Sequence, residues 1–261
     1  MKLYRLWGVA LRYLYLFRHS LDRVSDAFFW PTVDIVLWGM TSRFFATTAL
    51  VDNTIVLALL GGIILWIFPW RSQYEIAVNL LEDLWNRNLV NIFISPVLFS
   101  EWVLSLLLLG VGKALISFTY AAILTYALYA SNIFTIGWLL LPWAMLLILF
   151  GWVFGLIVAG IVMRYGTKIQ TLAWTAIYFI APFACVFYSV ETLPAWAQAI
   201  AHWIPASYVF EAMRATIAGS PVPLISFIWP TILCLIYFVL AGLMIRSSFN
   251  KILSRGLISV D

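Results

Sequence analysis

Residues 54–72 read TIVLALLGGIILWIFPWRS, an apolar run in which the only charged residue, Arg71, stands near the end. A helix that crosses the hydrocarbon core of a membrane needs roughly 20 such residues. The pattern recurs along the chain, and the six predicted spans are 24–46, 54–72, 102–129, 138–163, 171–190 and 222–245. Only helices or closed barrels satisfy every backbone group in lipid, and runs this long exclude the short alternating strands of a barrel. The sequence therefore predicts an all-α, polytopic membrane protein with six transmembrane helices.

The composition excludes a soluble globular protein. Hydrophobic residues make up 64% of the 261 residues, charged residues make up 10%, and the mean hydropathy is +1.01. Soluble domains carry about 25% charged residues. We expect residues 1–261 to form a single transmembrane domain, with five spans in 24–190 and the sixth in 221–245.

A polar stretch interrupts the apolar pattern between the second and third predicted spans. Residues 75–88 read EIAVNLLEDLWNRN and continue to Ser95–Pro96. The polar side chains share one helical face, which consists of Glu75, Asn79, Glu82, Asp83 and Asn86. This pattern predicts an amphipathic helix over about 75–96, in which Asp83 and Arg87 can pair at i,i+4. An acidic, Asn-rich face suits a soluble protein partner better than anionic headgroups, although a helix that merely caps the bundle is the alternative.

Lys and Arg are distributed unevenly between the segments that connect the predicted spans. If the N-terminus is cytoplasmic, the outer side holds only Arg43 and Arg214, and Lys113 lies within a span. The other twelve lie on the inner side: Lys2, Arg5, Arg12, Arg18, Arg23, Arg71, Arg87, Arg164, Lys168, Arg246, Lys251 and Arg255. Because cytoplasmic loops are enriched in these residues, both termini are predicted to be cytoplasmic, in the cell (inner or plasma) membrane, with 246–261 as a cytoplasmic tail. The net charge of +4 then reflects topology and not a nucleic-acid partner.

The N-terminal segment 1–23 has the pattern of a helix that lies along the membrane surface. Its apolar residues form one stripe, made of Leu3, Leu6, Trp7, Ala10, Leu14, Phe17 and Leu21. Most of its basic residues lie elsewhere on the helix, where they can face anionic headgroups. We expect an interfacial helix in contact with membrane lipids, which could serve as an anchor or as a partner-binding surface.

Two short helices are predicted in 191–220. Pro194 suits the first helical position, and Pro205 ends that helix. A second helix can run from Ser207 towards Ala218 and end before Gly219. Neither is long enough to span, so we expect a re-entrant hairpin in the outer leaflet.

No motif in the chain indicates catalysis. The run at Gly110–Ala114 resembles a phosphate-binding loop only faintly, because no Ser or Thr follows Lys113 and the run lies within an apolar span. His19 and His202 fall on opposite sides of the predicted membrane, and Cys185 and Cys234 lie in apolar spans. We therefore expect no catalytic residue, no metal site and no cofactor on this chain, which would not be an enzyme by itself.

Two charged residues are predicted near the middle of the membrane, Asp34 in the first span and Lys113 in the third. A charge at that depth costs a few kcal/mol or more, so it needs a partner or a function. The matched depth predicts either an ion pair between the two residues or a shared polar cavity. A pair that only joins two helices and a role in a transport path remain equal alternatives.

The chain resembles a permease of the type-2 exporter class of ATP-binding cassette (ABC) transporters. One resemblance is Leu89-Val-Asn-Ile-Phe-Ile-Ser95-Pro96 followed by Glu101, which is similar to the coupling region of that family. The other is Phe187-Tyr188-Ser-Val-Glu-Thr-Leu193-Pro194-Ala-Trp196, which is similar to its outer hairpin. The chain departs from the family at Arg87-Asn88, where Gly-Thr is common, and at Ser189, where Pro is common.

The resemblance implies a half-transporter that acts as a homodimer and binds a separate ATP-binding-cassette ATPase, which would hold ATP and Mg. Glu82, Asp83, Arg87 and Asn88 would couple this chain to the ATPase. The outer gate hairpin would consist of Leu193, Pro194, Trp196, Trp203, Pro205, Tyr208, Glu211 and Arg214. The cargo would be an amphipathic or lipid-like small molecule or a glycan. Two alternative functions are a secondary transporter that is not coupled to an ATPase and an intramembrane enzyme.

Overall fold

The computed structural model describes residues 2–48 and 53–255, and every regular element in these ranges is helical. The α-helices are α1 (Leu3–His19), α2 (Leu21–Thr48), α3 (Asn53–Trp85), α4 (Leu89–Ile94), α5 (Phe99–Tyr129), α6 (Leu140–Tyr165), α7 (Leu172–Thr175), α8 (Ala181–Ala184), α9 (Ala195–Ala201), α10 (Pro205–Ile217) and α11 (Ile225–Arg255). Short 3₁₀ segments are Ile133–Leu139, Gly166–Ile169, Ala176–Phe179 and Val190–Thr192. The prediction of an all-helical fold is confirmed.

Four helices are long and apolar enough to cross a membrane, so the chain is a multi-pass membrane protein. They are Val56–Trp85, Phe99–Tyr129, Ile133–Ile169 and Ile225–Ser254. Each contains most or all of one predicted span, which confirms the predictions at 54–72, 102–129, 138–163 and 222–245.

The other two predicted spans are not shown as spans. Segment 24–46 lies within α2, where Asp26, Asp34 and Arg43 interrupt the apolar side chains. Segment 171–190 is broken into short helical pieces, and its apolar part, Leu172–Ala184, is shorter than a membrane-crossing helix. Pro182, which has no backbone N–H, and Cys185, whose φ of 57° is left-handed, both stand where a regular helix would have to continue.

Helix α3 occupies the centre of the bundle and packs against α2, α5 and α6. It approaches α6 closely at Gly151, where an added Cβ would lie 2.5 Å from the carbonyl oxygen of Pro69. One apolar core surrounds the first half of α3 and helix α10. A second core surrounds the last turns of α3 together with α1 and α11. The two ends of α3 therefore lie in different environments. We call the end near α1 the polar end and the other the hairpin end.

Helix α1 packs on the bundle with a different face from the one predicted. Leu6, Val9 and Tyr13 are buried, and the Oγ of Ser105 in α5 donates to the carbonyl oxygen of Leu6. From the predicted apolar stripe, Leu6 thus faces the protein, whereas Trp7 is exposed. Leu3, Leu14 and Leu21 are exposed as well.

The polar stretch does not form one helix over 75–96, so that prediction is wrong. Helix α3 continues without interruption from its apolar part to Trp85, and α4 is a separate helix. Arg87 has a φ of 51°, a left-handed conformation that ends a helix. The polar residues 75–83 therefore belong to the same rigid helix as the second predicted span.

The two helices predicted in 191–220 are present as α9 and α10. Pro194 precedes the first helix as its N-cap instead of starting it. Pro205 begins the second helix, which ends at Ile217. In the predicted tail 246–261, α11 extends to Arg255, and 256–261 lie outside the described residues.

Candidate functional site

The acidic face of residues 75–83 points into the protein, contrary to the prediction that it is offered to a partner. Glu75, Asn79 and Asp83 are 3%, 1% and 2% exposed. Glu82 is partly buried. Polar groups buried to this degree need partners, and helices α1, α2 and α5 provide them.

Glu75 binds α5 through Lys113 and has two further neighbours on α3. Its Oε2 accepts a hydrogen bond from Lys113 Nζ at 2.5 Å and one from Asn79 Nδ2 at 3.1 Å. Its Oε1 lies 4.0 Å from Nη1 of Arg71. Lys113 also packs over the ring of Phe17, with 4.4 Å between Nζ and the ring centroid. A single carboxylate thus joins α3 to α5 in the interior of the bundle.

Two arginines neutralise acids between α2 and α3. Arg23 Nε donates to Glu82 Oε1 at 2.7 Å, and its Nη1 donates to Asn79 Oδ1 at 3.0 Å. Arg71 Nη1 donates to Asp26 Oδ2 at 2.6 Å, and Nη2 donates to the carbonyl oxygen of Asp26. In the first pair the arginine belongs to α2 and the acid to α3, whereas in the second pair the arginine belongs to α3 and the acid to α2.

Asp83 binds α1. Arg12 Nη2 donates to its Oδ1 at 2.6 Å, and the hydroxyl of Tyr13 donates to its Oδ2. Trp102 Nε1 in turn donates to the Tyr13 hydroxyl oxygen at 2.9 Å. Burial raises the pKa of Tyr13, and the Asp83 carboxylate raises it further, so the phenol stays protonated. Burial lowers the pKa of Arg12, but the contacts with Asp83 and Tyr13 together raise it above its usual value.

These ion pairs form three neighbouring groups along α3 with balanced charge, which together we call the ionic network. It consists of Arg12, Arg23, Asp26, Arg71, Glu75, Glu82, Asp83 and Lys113. Acids and bases are equal in number, so the cluster has no net formal charge. Removal of one partner from a buried pair leaves an uncompensated charge and typically costs 3–5 kcal/mol. The network therefore holds α1, α2, α3 and α5 in fixed relative positions.

Beyond the network, the chain exposes a corner where α3 turns into α4. We call residues 85–98 the corner. Trp85 and Ile94 are 48% and 78% exposed, and Arg87 is exposed as well. Trp85 Nε1 donates to Gln170 Oε1 at 3.1 Å, so the corner is also fixed to the segment after α6. Asn88 is half-buried, and its Nδ2 lies 3.4 Å from Asp83 Oδ1.

Of the four residues predicted to couple the chain to an ATPase, the structure places only some at this surface. Arg87 lies at the exposed corner. Asp83 is buried in the network, and Glu82 is paired with Arg23. Asp83 was predicted to pair with Arg87. Its Oδ1 instead binds Arg12, and its Oδ2 binds the Tyr13 hydroxyl.

The structure does not pair Asp34 with Lys113, so that alternative is wrong. Lys113 binds Glu75, which the sequence placed in a surface helix and which α3 brings into the bundle. Asp34 instead lines a cavity of about 230 Å³ between α2, α3 and the segment around α8. Trp38, Trp66 and Tyr178 line the same cavity.

The segment before the hairpin is fixed by the predicted residues Glu211 and Arg214. Glu211 Oε1 accepts from the backbone N–H of Val190 at 2.6 Å and from Arg214 Nη2 at 2.9 Å. Arg214 Nη1 donates to the carbonyl oxygen of Cys185 at 2.8 Å. Both residues lie on α10, so this helix positions the chain that leads into the hairpin.

The other predicted hairpin residues lie on or beside α9 and α10. Trp196 and Trp203 are 65% and 61% exposed. The Tyr208 hydroxyl donates to the carbonyl oxygen of His202 at 3.1 Å, which joins α10 to the end of α9. Leu193 and Pro194 form the turn into α9, and the Leu193 carbonyl oxygen accepts from Gln198 Nε2 at 2.8 Å.

Replacing Glu211 by Ala is expected to free the chain ahead of the hairpin. Hydrogen bonds to charged groups contribute about 1.5–3 kcal/mol each, which corresponds to roughly 10- to 100-fold faster exchange of the Val190 amide. Hydrogen–deuterium exchange of peptides covering 187–193 measures this change. The matched control is Glu191→Ala, because Glu191 is exposed and takes part in no ion pair within 2–48 and 53–255. Equal exchange in both variants would contradict the assigned role.

Several site residues were not predicted from the sequence. Arg12, Tyr13 and Arg23 lie in the segment predicted to be interfacial, Asp26 lies in the first predicted span, and Arg71 enters the sequence argument only through topology. One available signal was the i,i+4 spacing of Arg71 and Glu75, which puts both on one face of a helix. A second was the i,i+4 spacing of Trp66 with Trp70 and of Asp34 with Trp38, all of which line one cavity.

Compared with protein-family models and with curated proteins, the chain matches none. The assignment of a function therefore depends on the geometry described above and on the motifs in the sequence.

Proposed function

We propose that this chain is the membrane-spanning permease subunit of an ATP-driven exporter of the type-2 ABC class. Two copies would form the transport path in the cell membrane, with both termini in the cytoplasm, and each copy would bind a separate ATPase subunit. Helix α2 and the broken segment 172–184 would complete six membrane-embedded segments, with α9 and α10 as the re-entrant hairpin. The cargo would be an amphipathic or lipid-like small molecule or a glycan.

The observation that supports this function best is the mechanical connection between the corner and the bundle. The corner has Trp85 and Ile94 exposed at the surface of the chain. Within one turn of Trp85, Asp83 and Glu82 are bound to α1 and α2. Nearly three turns from Trp85, Glu75 is bound to α5. A force on the corner would therefore be transmitted to four helices at once.

This geometry changes the contact surface that the resemblance implies. Because Glu82 and Asp83 serve internal pairs, we propose that the ATPase contacts the corner itself, through Trp85, Arg87 and Ile94. Closure of two ATPases would then displace α3 as a rigid lever, together with the helices bound to it. The hairpin, fixed to the preceding chain through Glu211 and Arg214, would respond at the opposite end of α3 as a gate.

Replacing Ile94 by Glu is expected to reduce binding of the ATPase at least tenfold. An exposed apolar side chain that becomes buried contributes roughly 1.5–3 kcal/mol, and each 1.4 kcal/mol corresponds to about a factor of ten in affinity. The measurement is the amount of an ATP-binding-cassette ATPase from the same organism that co-purifies with this chain after joint expression. Leu224→Glu is the matched control, since Leu224 is 71% exposed at the hairpin end.

Three outcomes would contradict parts of this proposal. If Ile94→Glu and Leu224→Glu both retain the ATPase, the corner is not the contact surface. If the unmodified chain co-purifies with no ATPase, yet transports cargo in vesicles without ATP, the chain is a secondary transporter. If the chain elutes as a monomer in complex with one ATPase, the homodimer is wrong.

A further inference from the structure

The cavity beside α2 combines one carboxylate with several aromatic rings. Asp34 and Trp38 line it from α2, Trp66 and Trp70 line it from α3, and Tyr178 lines it from the segment before α8. Its volume is about 230 Å³. Asp34 is exposed in the single chain, so the cavity is open to a ligand.

Asp34 has no cationic partner in the described ranges, although it lies among helices whose other charges near the cavity are paired. The nearby bases are already paired: Arg71 binds Asp26, and Lys113 binds Glu75. No ion pair in 2–48 and 53–255 involves Asp34. An ionisable residue among membrane-embedded helices is costly and commonly marks a substrate or ion path. The cavity therefore has an unsatisfied negative charge.

Like the carboxylate, the aromatic rings that line the cavity favour a positively charged ligand. The face of an aromatic ring is electron-rich, so Trp and Tyr attract cations through their ring faces. Trp38 is held in place by stacking on Phe187, with ring centroids 4.6 Å apart and 19° between the planes. A sugar could also stack on these rings, but its hydroxyl groups need many polar partners. Among the described residues that line the cavity, the carboxylate is the only charged group.

We propose that this cavity binds a compact organic cation of the quaternary or tertiary ammonium class. The carboxylate of Asp34 supplies the opposite charge, and the rings of Trp38, Trp66 and Tyr178 would contact the alkyl groups. Trp70 also lines the cavity, but the guanidinium of Arg71 already packs over its ring, 4.5 Å from the centroid. Quaternary ammonium groups are recognised in this way by aromatic cages. The binding itself stands on the cavity alone, whereas a role of the cation as cargo rests on the proposed exporter function.

The test is isothermal titration of the purified full chain, without an ATPase, with choline and with its neutral carbon isostere 3,3-dimethylbutan-1-ol. We expect choline to bind at least tenfold more tightly than the isostere. Asp34→Asn should weaken choline binding at least tenfold and leave the isostere unchanged. Asp22→Asn, an identical change at an exposed site on the same helix, should have no effect. Trp66→Leu should weaken choline binding and leave Asp34 in place.

Each other result overturns the proposal. No choline binding by the unmodified chain up to millimolar concentration would exclude a compact cation site. Equal affinity for choline and the neutral isostere would exclude charge recognition, and this comparison needs no variant. Maltose binding without choline binding would assign the cavity to a glycan instead. Because no ATPase is present, failure here leaves the co-purification result intact, and failure of co-purification leaves choline binding intact.

Discussion

The Glu75→Gln variant is expected to unfold with a free energy about 3–5 kcal/mol lower than that of the unmodified chain. Glu75 is 3% exposed and holds Lys113 Nζ at 2.5 Å. The neutral amide leaves the Lys113 ammonium buried with no opposite charge in contact. It also removes the second acid near Arg71. The same physical reason predicts that the loss is largely reversed when Lys113 is removed together with Glu75.

The measurement is thermal unfolding in detergent, followed with a thiol-reactive fluorophore. Cys185 and Cys234 are both buried in the fold, so each reports its exposure on unfolding. A loss of this size corresponds to a decrease in the unfolding temperature of roughly 6 °C or more. Glu75→Gln/Lys113→Met should recover most of it, and Glu191→Gln should match the unmodified chain. If the double variant is less stable than Glu75→Gln, the two residues do not stabilise the fold as a pair.

The long apolar helices were predictable because length and hydropathy are local properties of the sequence. Four of the six predicted spans agree with long apolar helices. Segment 171–190 could not be resolved in the same way, since its composition is apolar but Pro182 and the left-handed Cys185 break the helix. Hydropathy averages over a window and does not register such breaks.

The acidic face of α3 shows why amphipathic periodicity alone does not identify a surface. The spacing of Glu75, Asn79 and Asp83 correctly places them on one face, but only tertiary structure shows what covers that face. For example, Arg12, which binds Asp83, lies 71 residues away from it in the sequence. A buried face that is neutralised by distant bases and an exposed face that binds a soluble protein have the same pattern.

The error at Asp34 and Lys113 has a related cause. The predicted membrane depth of Asp34 and of Lys113 depends on where the predicted spans end. The sequence also predicts that Glu75 lies in a connecting helix outside the membrane. Because α3 continues unbroken to Trp85, Glu75 lies inside the bundle and takes Lys113. This reassignment leaves Asp34 available for a ligand, which could not be inferred from depth alone.

Replacing Gly151 by Leu is expected to lower the free energy of unfolding by about 3 kcal/mol, at the upper end of the usual cost of overpacking. Small residues let the backbones of membrane helices approach each other closely. At Gly151 even the first carbon of a side chain would lie 2.5 Å from the Pro69 carbonyl oxygen and 2.7 Å from Ser72 Cβ. A backbone oxygen cannot turn away as a flexible side chain can, so α3 and α6 must separate.

The size of the side chain provides the sharpest test of this contact. Gly151→Ala already places a carbon at the close positions, so it should cost part of the stability, and Gly151→Leu should cost more. Gly242→Leu is the matched control, because α11 leaves Gly242 with no atom within 4 Å of an added Cβ. There the exchange improves helix propensity by somewhat less than 1 kcal/mol and introduces no clash. Unfolding temperatures from the same thiol assay should therefore fall in the order Gly242→Leu, Gly151→Ala, Gly151→Leu, and equal values for the two Leu variants would refute a direct backbone contact between α3 and α6.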